Sequence, residues 1–375
     1  MPKYDIGIIT VPISRSGFTP LSQLIEIIFP FTKKFSLITG DESYRFFKMD
    51  TRLNIVAVSQ NDSSFFLMRI INYISLQLKI TFWIIKNRKN IDILIFFIGG
   101  DILVIPMLIA NILQKKTLMV VASSSFKAHK AQKDPFYKLI KITLFINYSC
   151  AKKIILYSTK LIEDYGLKIW EDKILIAHHH FIPIEFFTVI IPFSNRSPVI
   201  GYIGRISREK GVQNFVQALP SIIHDHPSDL HVIIGGEGLM KENIESFIIT
   251  ENLNRHVELP GWIPSDDFPK YLNKLRLLVL PSYSEGLPNI ILEAMACGTP
   301  VLANAVGANT DLIQDGETGF LMKDNSPECI AENVLRALNS PDLEKISRNG
   351  RRFIQENFTF EKTLESYNRI FQEIE

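Results

Sequence analysis

Residues Leu280 to Pro300 read LPSYSEGLPNIILEAMACGTP, and this stretch decides how the rest of the chain is read. Leu277, Leu278, Val279 and Leu280 form the end of a buried strand, which Pro281 closes. A polar loop follows, in which Gly286 tolerates unusual backbone angles. Pro288 stands where helices begin, because its missing N–H would have no intrahelical partner there. Ile290, Ile291, Ala294 and Met295 recur at helical spacing, and Gly298 and Pro300 stop the helix. The amides of Gly286, Leu287 and the residues up to Ile290 are expected to converge on one pocket, at the positive end of a helix dipole. Such a pocket suits phosphate oxygens and sugar hydroxyls.

Two carboxylates flank that pocket, Glu285 in the loop and Glu293 one turn into the helix. Their spacing alone is weak evidence, since acids are common enough to recur at any fixed separation. A solvated helix residue is the plain alternative for Glu293. The context points the other way: a Glu beside a flexible Gly, at a strand's carboxyl end and before a proline-started helix, has the geometry of a site.

The segment SEGLPNIILEAMACGTPVLAN resembles the signature of the retaining, GT-B-fold, family 4 glycosyltransferases (glycosyl transferases group 1), with Glu285 and Glu293 as its two glutamates. GRISREKGV (Gly204 to Val212), IIGGEG (Ile233 to Gly238), LPGWIP (Leu259 to Pro264) and DGETGFL (Asp315 to Leu321) extend the resemblance in the family's order. It covers the carboxyl-terminal half closely and the amino-terminal half in outline. The resemblance implies two Rossmann-like, doubly wound parallel-sheet domains facing across a cleft. It also implies a last helix, marked by Leu364, Tyr367, Ile370, Phe371 and Ile374, that crosses back to the first domain. The expected boundaries are 1–182 for the acceptor-side domain, 183–197 for a Pro-punctuated linker, 198–355 for the nucleotide-sugar domain, and 356–375 for the returning helix.

Arg205 and Lys210 follow strand PVIGYIG and flank the turn into a helix. Two cations at a helix amino terminus make an anion site suited to a leaving diphosphate. By resemblance they clamp the nucleotide's phosphates, Glu293 binds ribose hydroxyls, and Glu285 holds hydroxyls of the donor sugar with help from Gly286, Leu287 and Pro288. Gly204 and Glu237 belong to the glycine-bearing turns beside the donor, while Trp262 and Ile263 lie next to the nucleobase; Trp262 serves equally well as a core aromatic. In the first domain, Gly17 stands where the family carries a glycine-rich turn. His129 is the candidate for the side chain that reaches the transferred sugar, with Ser124 or Ser125 as alternatives. The run His178, His179, His180 reads as a loop rather than a metal site, since no carboxylate or cysteine supports it at ligand spacing. No Asp-x-Asp pair occurs, so no metal and no other cofactor is expected, and cations plus helix dipoles must stabilise the departing diphosphate.

The chain of 375 residues is 46% hydrophobic, enough for two cores. Three cysteines without metal spacing suggest a reducing compartment, and no signal-peptide pattern precedes strand DIGIIT, so a cytoplasmic location is expected. Charge is split: residues 1–196 carry a net +11 and the remainder −9. Nine lysines lie between Lys115 and Lys153 with a single acid, Asp134, and interleaved aromatics. A solvated lysine face explains them; so does a peripheral contact with an anionic membrane at the inner face of the cell membrane. Nucleic acid fits poorly, because no recognition motif accompanies the charge.

The first half alternates strand and helix, with strands expected at Phe35–Thr39, Leu53–Val58, Ile91–Ile98 and Thr117–Ala122. Ile91 to Leu113 is interrupted by Asp92, Gly99, Gly100, Asp101 and Pro106, so it reads as strand, turn and helix rather than a membrane span. Met68 to Ile85 reads as a core helix, with an interfacial amphipathic helix as the alternative. The combined expectation is a hexosyltransferase-type enzyme. It would move sugar from a nucleoside-diphosphate sugar to a carbohydrate or lipid-linked hydroxyl, with retention, in polysaccharide or glycolipid assembly. A sugar-nucleotide epimerase or hydrolase of the same fold, or a non-catalytic nucleotide-sugar-binding protein, is the alternative.

Overall fold

A computed structural model describes residues 3–13, 15–59, 65–122, 125–126, 137–226 and 229–374. The chain divides into two compact units, residues 1–180 with 363–375, and residues 181–362.

The first unit holds a seven-stranded parallel sheet. Its strands are β1 (Tyr4–Ile9), β2 (Thr32–Thr39), β3 (Leu53–Ala57), β4 (Ile93–Phe96), β5 (Lys116–Val121), β6 (Lys153–Leu156) and β7 (Ile174–Ile176), in the order β3-β2-β1-β4-β5-β6-β7. Ile6, Ile8, Ile93, Ile95 and Leu118 are fully or almost fully buried, because helices cover both faces of such a sheet and its strands become continuous apolar runs. The strands expected from sequence are present, with ends moved by at most three residues. Ile91 to Leu113 resolves into β4, a turn at Gly100–Ile102 and a helix at Val104–Ile112.

The second unit holds a six-stranded parallel sheet of β8 (Val199–Ile203), β9 (His231–Gly235), β10 (Val257–Gly261), β11 (Leu277–Leu280), β12 (Val301–Asn304) and β13 (Phe320–Met322), ordered β10-β9-β8-β11-β12-β13. Both sheets are doubly wound, and each has one place where strand order reverses: β1 beside β4, and β8 beside β11. Sheets of this kind bind ligands outside the strands' carboxyl ends at that reversal.

Residues 181–198 are anchored to the second unit by a buried arginine. Arg196 donates to Ile191 O (3.1 Å), Leu275 O (2.9 Å), Thr299 Oγ1 (2.7 Å), Asn273 Oδ1 (3.3 Å) and Cys297 O (2.7 Å). Five donors meet five oxygens without a carboxylate, which is how a guanidinium can be buried. Desolvation still lowers its pKa to about 10. In the first unit, helix Phe360–Ile374 supplies Phe371, which stacks on Tyr4 (5.7 Å between ring centroids) and meets Phe31 (4.7 Å).

Candidate active site at the β8/β11 reversal

The turn after β8 runs through Gly204, Arg205, Ile206 and Ser207 into a short 3-10 turn, Arg208–Lys210, and then helix Val212–Asp225. Gly211 joins the two at φ +66°, and a Cβ there would stand 2.1 Å from Pro281 O. Only glycine lets this turn lie directly on the carboxyl end of β11. Tyr283 N donates to Glu209 O (3.0 Å), and Asn325 Nδ2 donates to Pro281 O (2.9 Å), which fixes the two loops together. Lys210 Nζ is thereby held 2.7 Å from Glu285 Oε1. The carboxylate is buried and the ammonium half-buried.

The loop after β12 closes the other side. Gly307 takes φ +54°, and a Cβ would stand 1.8 Å from Glu285 O. Ala308 N donates to Gly286 O (3.1 Å). The backbone of Glu285 and Gly286 is thus set by its neighbours on both sides, which is how a loop residue acquires a defined position. Helix Asn289–Ala296 begins immediately afterwards, with Pro288 as the residue before its first turn and Gly298, at φ +67°, just past its end. Leu287 is buried.

Glu293 lies on the buried side of this helix. Its Oε2 has no hydrogen-bond partner among the described residues, and desolvation raises the carboxyl pKa to about 8. The plain alternative of a solvated helix residue is therefore incorrect. An acid in an apolar setting stays protonated at neutral pH unless a partner for its charged form arrives. Ser207 Oγ, Ser282 Oγ, Asn289 Oδ1, Asn304 Oδ1 and Asn309 Oδ1 also lack partners among the described residues, and all lie at the carboxyl ends of β8, β11 and β12, in a last strand residue (Asn304) or in the loops and helix starts that follow. Buried polar atoms usually find partners, so such a set at one end of a sheet is the mark of a ligand site. Sequence reading passed over Asn304 and Asn309, although their placement at a strand end beside Gly307 carried the same signal as Glu285 beside Gly286.

The remaining donor-side residues are placed as follows. Gly204 N donates to Gly235 O (2.9 Å) and Ile206 N to Glu237 O (2.8 Å), so the glycine turn after β9 is fastened to the turn after β8. The Glu237 side chain points outward to Lys241 (2.9 Å), and the Arg205 guanidinium lies 3.3 Å from Glu209, with both partners of each pair largely exposed. Trp262 is 62% exposed and so is no core aromatic, whereas Ile263 is buried, with its side chain over Gly235.

In the first unit, Gly17 has φ −88°, which any residue adopts, so its freedom is not used there. Strain sits instead at the β1/β4 reversal, where Ile98 takes φ +31° ahead of Gly99 at φ +76°. Ser125 Oγ donates to Asp101 Oδ1 (2.9 Å). His129 and Ser124 lie outside the described residues. The histidine run is a buried cluster: His179 and His180 stack at 4.4 Å, Tyr157 OH meets His179 Nδ1 at 3.3 Å, and Thr363 Oγ1 donates to His180 O (3.0 Å). Burial depresses all three, His178 to about 4 and His179 to about 3. Among the described residues, no group of three or more His, Cys, Asp or Glu side chains is gathered as a metal ion would require.

Comparison with known proteins adds a family match over part of the chain. Residues 184–353 match the family described as glycosyl transferases group 1. An uncharacterized glycosyltransferase of Methanocaldococcus jannaschii is 31% identical over 174 residues, which are 46% of this chain and 47% of that protein. The capsular polysaccharide biosynthesis glycosyltransferase CapM of Staphylococcus aureus is 30% identical over 193 residues, 48% of each chain. The chain thus spans about half the length of the curated relatives it matches. A solved structure of Anabaena HepE in complex with UDP and glucose superposes over 99% of this chain and 100% of that one, with TM-score 0.77 at 16% identity. That likeness is one of fold, and the fold is GT-B.

Proposed function

We propose, for a chain whose residues 184–353 match the glycosyl transferases group 1 family, that it transfers a hexose-type sugar from a nucleoside-diphosphate sugar to a hydroxyl acceptor with retention of anomeric configuration. The observation that carries this reading is the meeting of Lys210 and Glu285 at the β8/β11 reversal, on the same loop-and-helix segment as the buried Glu293, whose Oε2 has no hydrogen-bond partner among the described residues. The complex of HepE with UDP and glucose favours a nucleotide-sugar donor. CapM, a capsular polysaccharide biosynthesis glycosyltransferase, favours an acceptor in polysaccharide assembly; a lipid-linked acceptor met at the cytoplasmic side is part of the same proposal.

In this reading the Lys210–Glu285 pair is a resting arrangement. A diphosphate offers Lys210 a more highly charged partner than one carboxylate, and Arg205 has the exposure to swing onto the same anion. Glu285, released from the ammonium, accepts hydrogen bonds from donor-sugar hydroxyls. Glu293 receives the ribose: two hydroxyl donors would solvate its carboxylate and draw off its proton. Charge that develops on the departing diphosphate is met by Lys210, Arg205 and the amino terminus of helix Asn289–Ala296, with no metal assigned a part.

A thermal-shift panel of nucleoside diphosphates and nucleotide sugars on the wild type and Glu293→Ala tests the donor site. A shift with one base that the variant loses supports it, and no shift with any nucleotide across a wide concentration range overturns it. Product analysis with and without acceptor separates transfer from epimerisation or hydrolysis, both of which consume donor alone at full rate.

A further inference from the structure

Helix Phe66–Lys86 does not behave as the core helix expected from its composition. Leu67, Ile71, Ile74, Leu78, Phe82 and Ile85 are all exposed, Leu67 at 71% and Phe82 at 68%. At about 100° per residue they fall within an arc of about 80°, a single stripe along the helix. The opposite side, with Leu76, Ile80, Trp83 and Ile84, is the side that is buried. The stripe has neighbours of the same character. Helix Phe66–Lys86 packs beside helix Val104–Ile112, where Ile105 N donates to Gln77 Oε1 (2.9 Å), and that helix packs beside Tyr137–Cys150. Ile112, at 74%, and Leu108 are exposed on the second helix, and Leu139, Ile142 and Phe145 on the third.

Charge on these three helices has one sign. The three helices carry Arg69, Lys79, Lys86, Lys138 and Lys141 and no acidic residue. Beyond Ile112 the surface continues into a shallow pocket in which Lys115, Lys152, Lys153 and Lys173 outnumber a single acid, Asp172. Isolated exposed apolar residues are ordinary, but eleven on three adjacent helices exceed what a solvated face shows. None of the described helices is long and apolar enough to cross a membrane.

We propose that this three-helix face docks in the plane of an anionic lipid bilayer, with the stripe of helix Phe66–Lys86 among the acyl chains and the lysines at the headgroups. Charge decides between a lipid surface and a second copy of the chain. Isologous pairing of this face would bring its cations against cations, whereas anionic headgroups complement them. An apolar face flanked by Lys and Arg is also the composition that lies in a membrane interface. The contact therefore reaches beyond the lysines between Lys115 and Lys153 to a second, apolar contribution. It needs no nucleotide, so its failure and the failure of the donor reading are separately visible.

The test is flotation of the full chain with vesicles of phosphatidylglycerol and phosphatidylcholine, or of phosphatidylcholine alone, at low and at 150 mM salt, alongside light scattering without lipid. The wild type is expected to float with the anionic vesicles, and Leu78→Gln/Phe82→Gln to lose binding at both salts. Lys79→Gln/Lys86→Gln is expected to weaken partitioning about tenfold or more. The lysine variant gives a second readout if the apolar one melts early. Absence of flotation by the wild type overturns the proposal, as does binding that neither variant changes. A wild-type dimer that Leu78→Gln/Phe82→Gln converts to monomer, without vesicle binding, overturns it in favour of self-association.

Discussion

Lys210 Nζ lies 2.7 Å from Glu285 Oε1, an ion pair formed across two loops that leave adjacent strands of one sheet. The pair has two jobs to perform in the proposed reaction, and they can be separated by mutation. Lys210→Ala leaves a buried carboxylate uncompensated, which costs about 1–3 kcal/mol once partial exposure of the lysine is considered. Glu285→Gln removes charge from the more buried partner and is expected to leave stability nearly unchanged. Both should lower kcat by about 100-fold or more if the pair serves the diphosphate and the sugar. Near-normal turnover in Lys210→Ala, or in Arg205→Ala, would contradict the phosphate clamp.

Glu293 predicts a pH dependence of the second unit. Its folded pKa is raised to about 8, so between the ordinary carboxyl value of 4.5 and 8 the folded chain keeps a proton that the unfolded chain has lost. Stability from this group is full below 4.5 and falls by up to about 1.4 kcal/mol per pH unit across that window. Glu293→Gln should therefore raise Tm at pH 8 and leave it unchanged at pH 4.5. If ribose hydroxyls bind the carboxylate form, nucleotide binding releases a proton near pH 7, which calorimetry in buffers of different ionisation enthalpy would detect.

The histidine cluster predicts the opposite trend for the first unit. His178, His179 and His180 are neutral in the fold, and their pKa values are depressed below 6.5 by burial. Their contribution is complete above pH 6.5 and is lost as pH falls towards about 4 and 3, by up to about 1.4 kcal/mol per pH unit for each histidine. His179→Phe should flatten the acid side of a Tm-against-pH curve. A wild-type Tm that is level from pH 7 to pH 5 would contradict this assignment.

Arg196 tests the rigidity of residues 181–198. Arg196→Met removes five hydrogen bonds and strands Leu275 O and Cys297 O near the start of β11 and the end of helix Asn289–Ala296. A loss of about 3–5 kcal/mol is expected in urea unfolding. Arg196→Lys should recover only part of it, because an ammonium cannot reach oxygens on several sides at once.

The strands and their order of appearance were legible because parallel strands buried on both faces leave unbroken apolar runs. Glu285 and Lys210 were legible because loops at strand ends announce themselves with Gly, Pro and charge. Periodicity was less informative about helix Phe66–Lys86: it shows which residues share a face, but not whether that face meets a sheet or solvent. Arg196 was hidden for a related reason. Its partners are mostly main-chain carbonyls, and carbonyls carry no residue identity. Trp262 and Glu293 were ambiguous in sequence because burial of a single residue depends on neighbours distant along the chain.

The division of the chain into residues 1–180 with 363–375, and 181–362, orders events during synthesis. Phe371, which packs against Tyr4 and Phe31, and the buried Ile374 are synthesised only after the whole second unit has been made. At about 5–20 residues per second the nascent first unit waits about 10–40 s with that part of its core open. The second unit, by contrast, is complete before the wait ends. A chaperone that shields the first unit is expected to release it only when the helix from Phe360 to Ile374 has emerged, so truncation within that helix should raise aggregation far more than its length suggests.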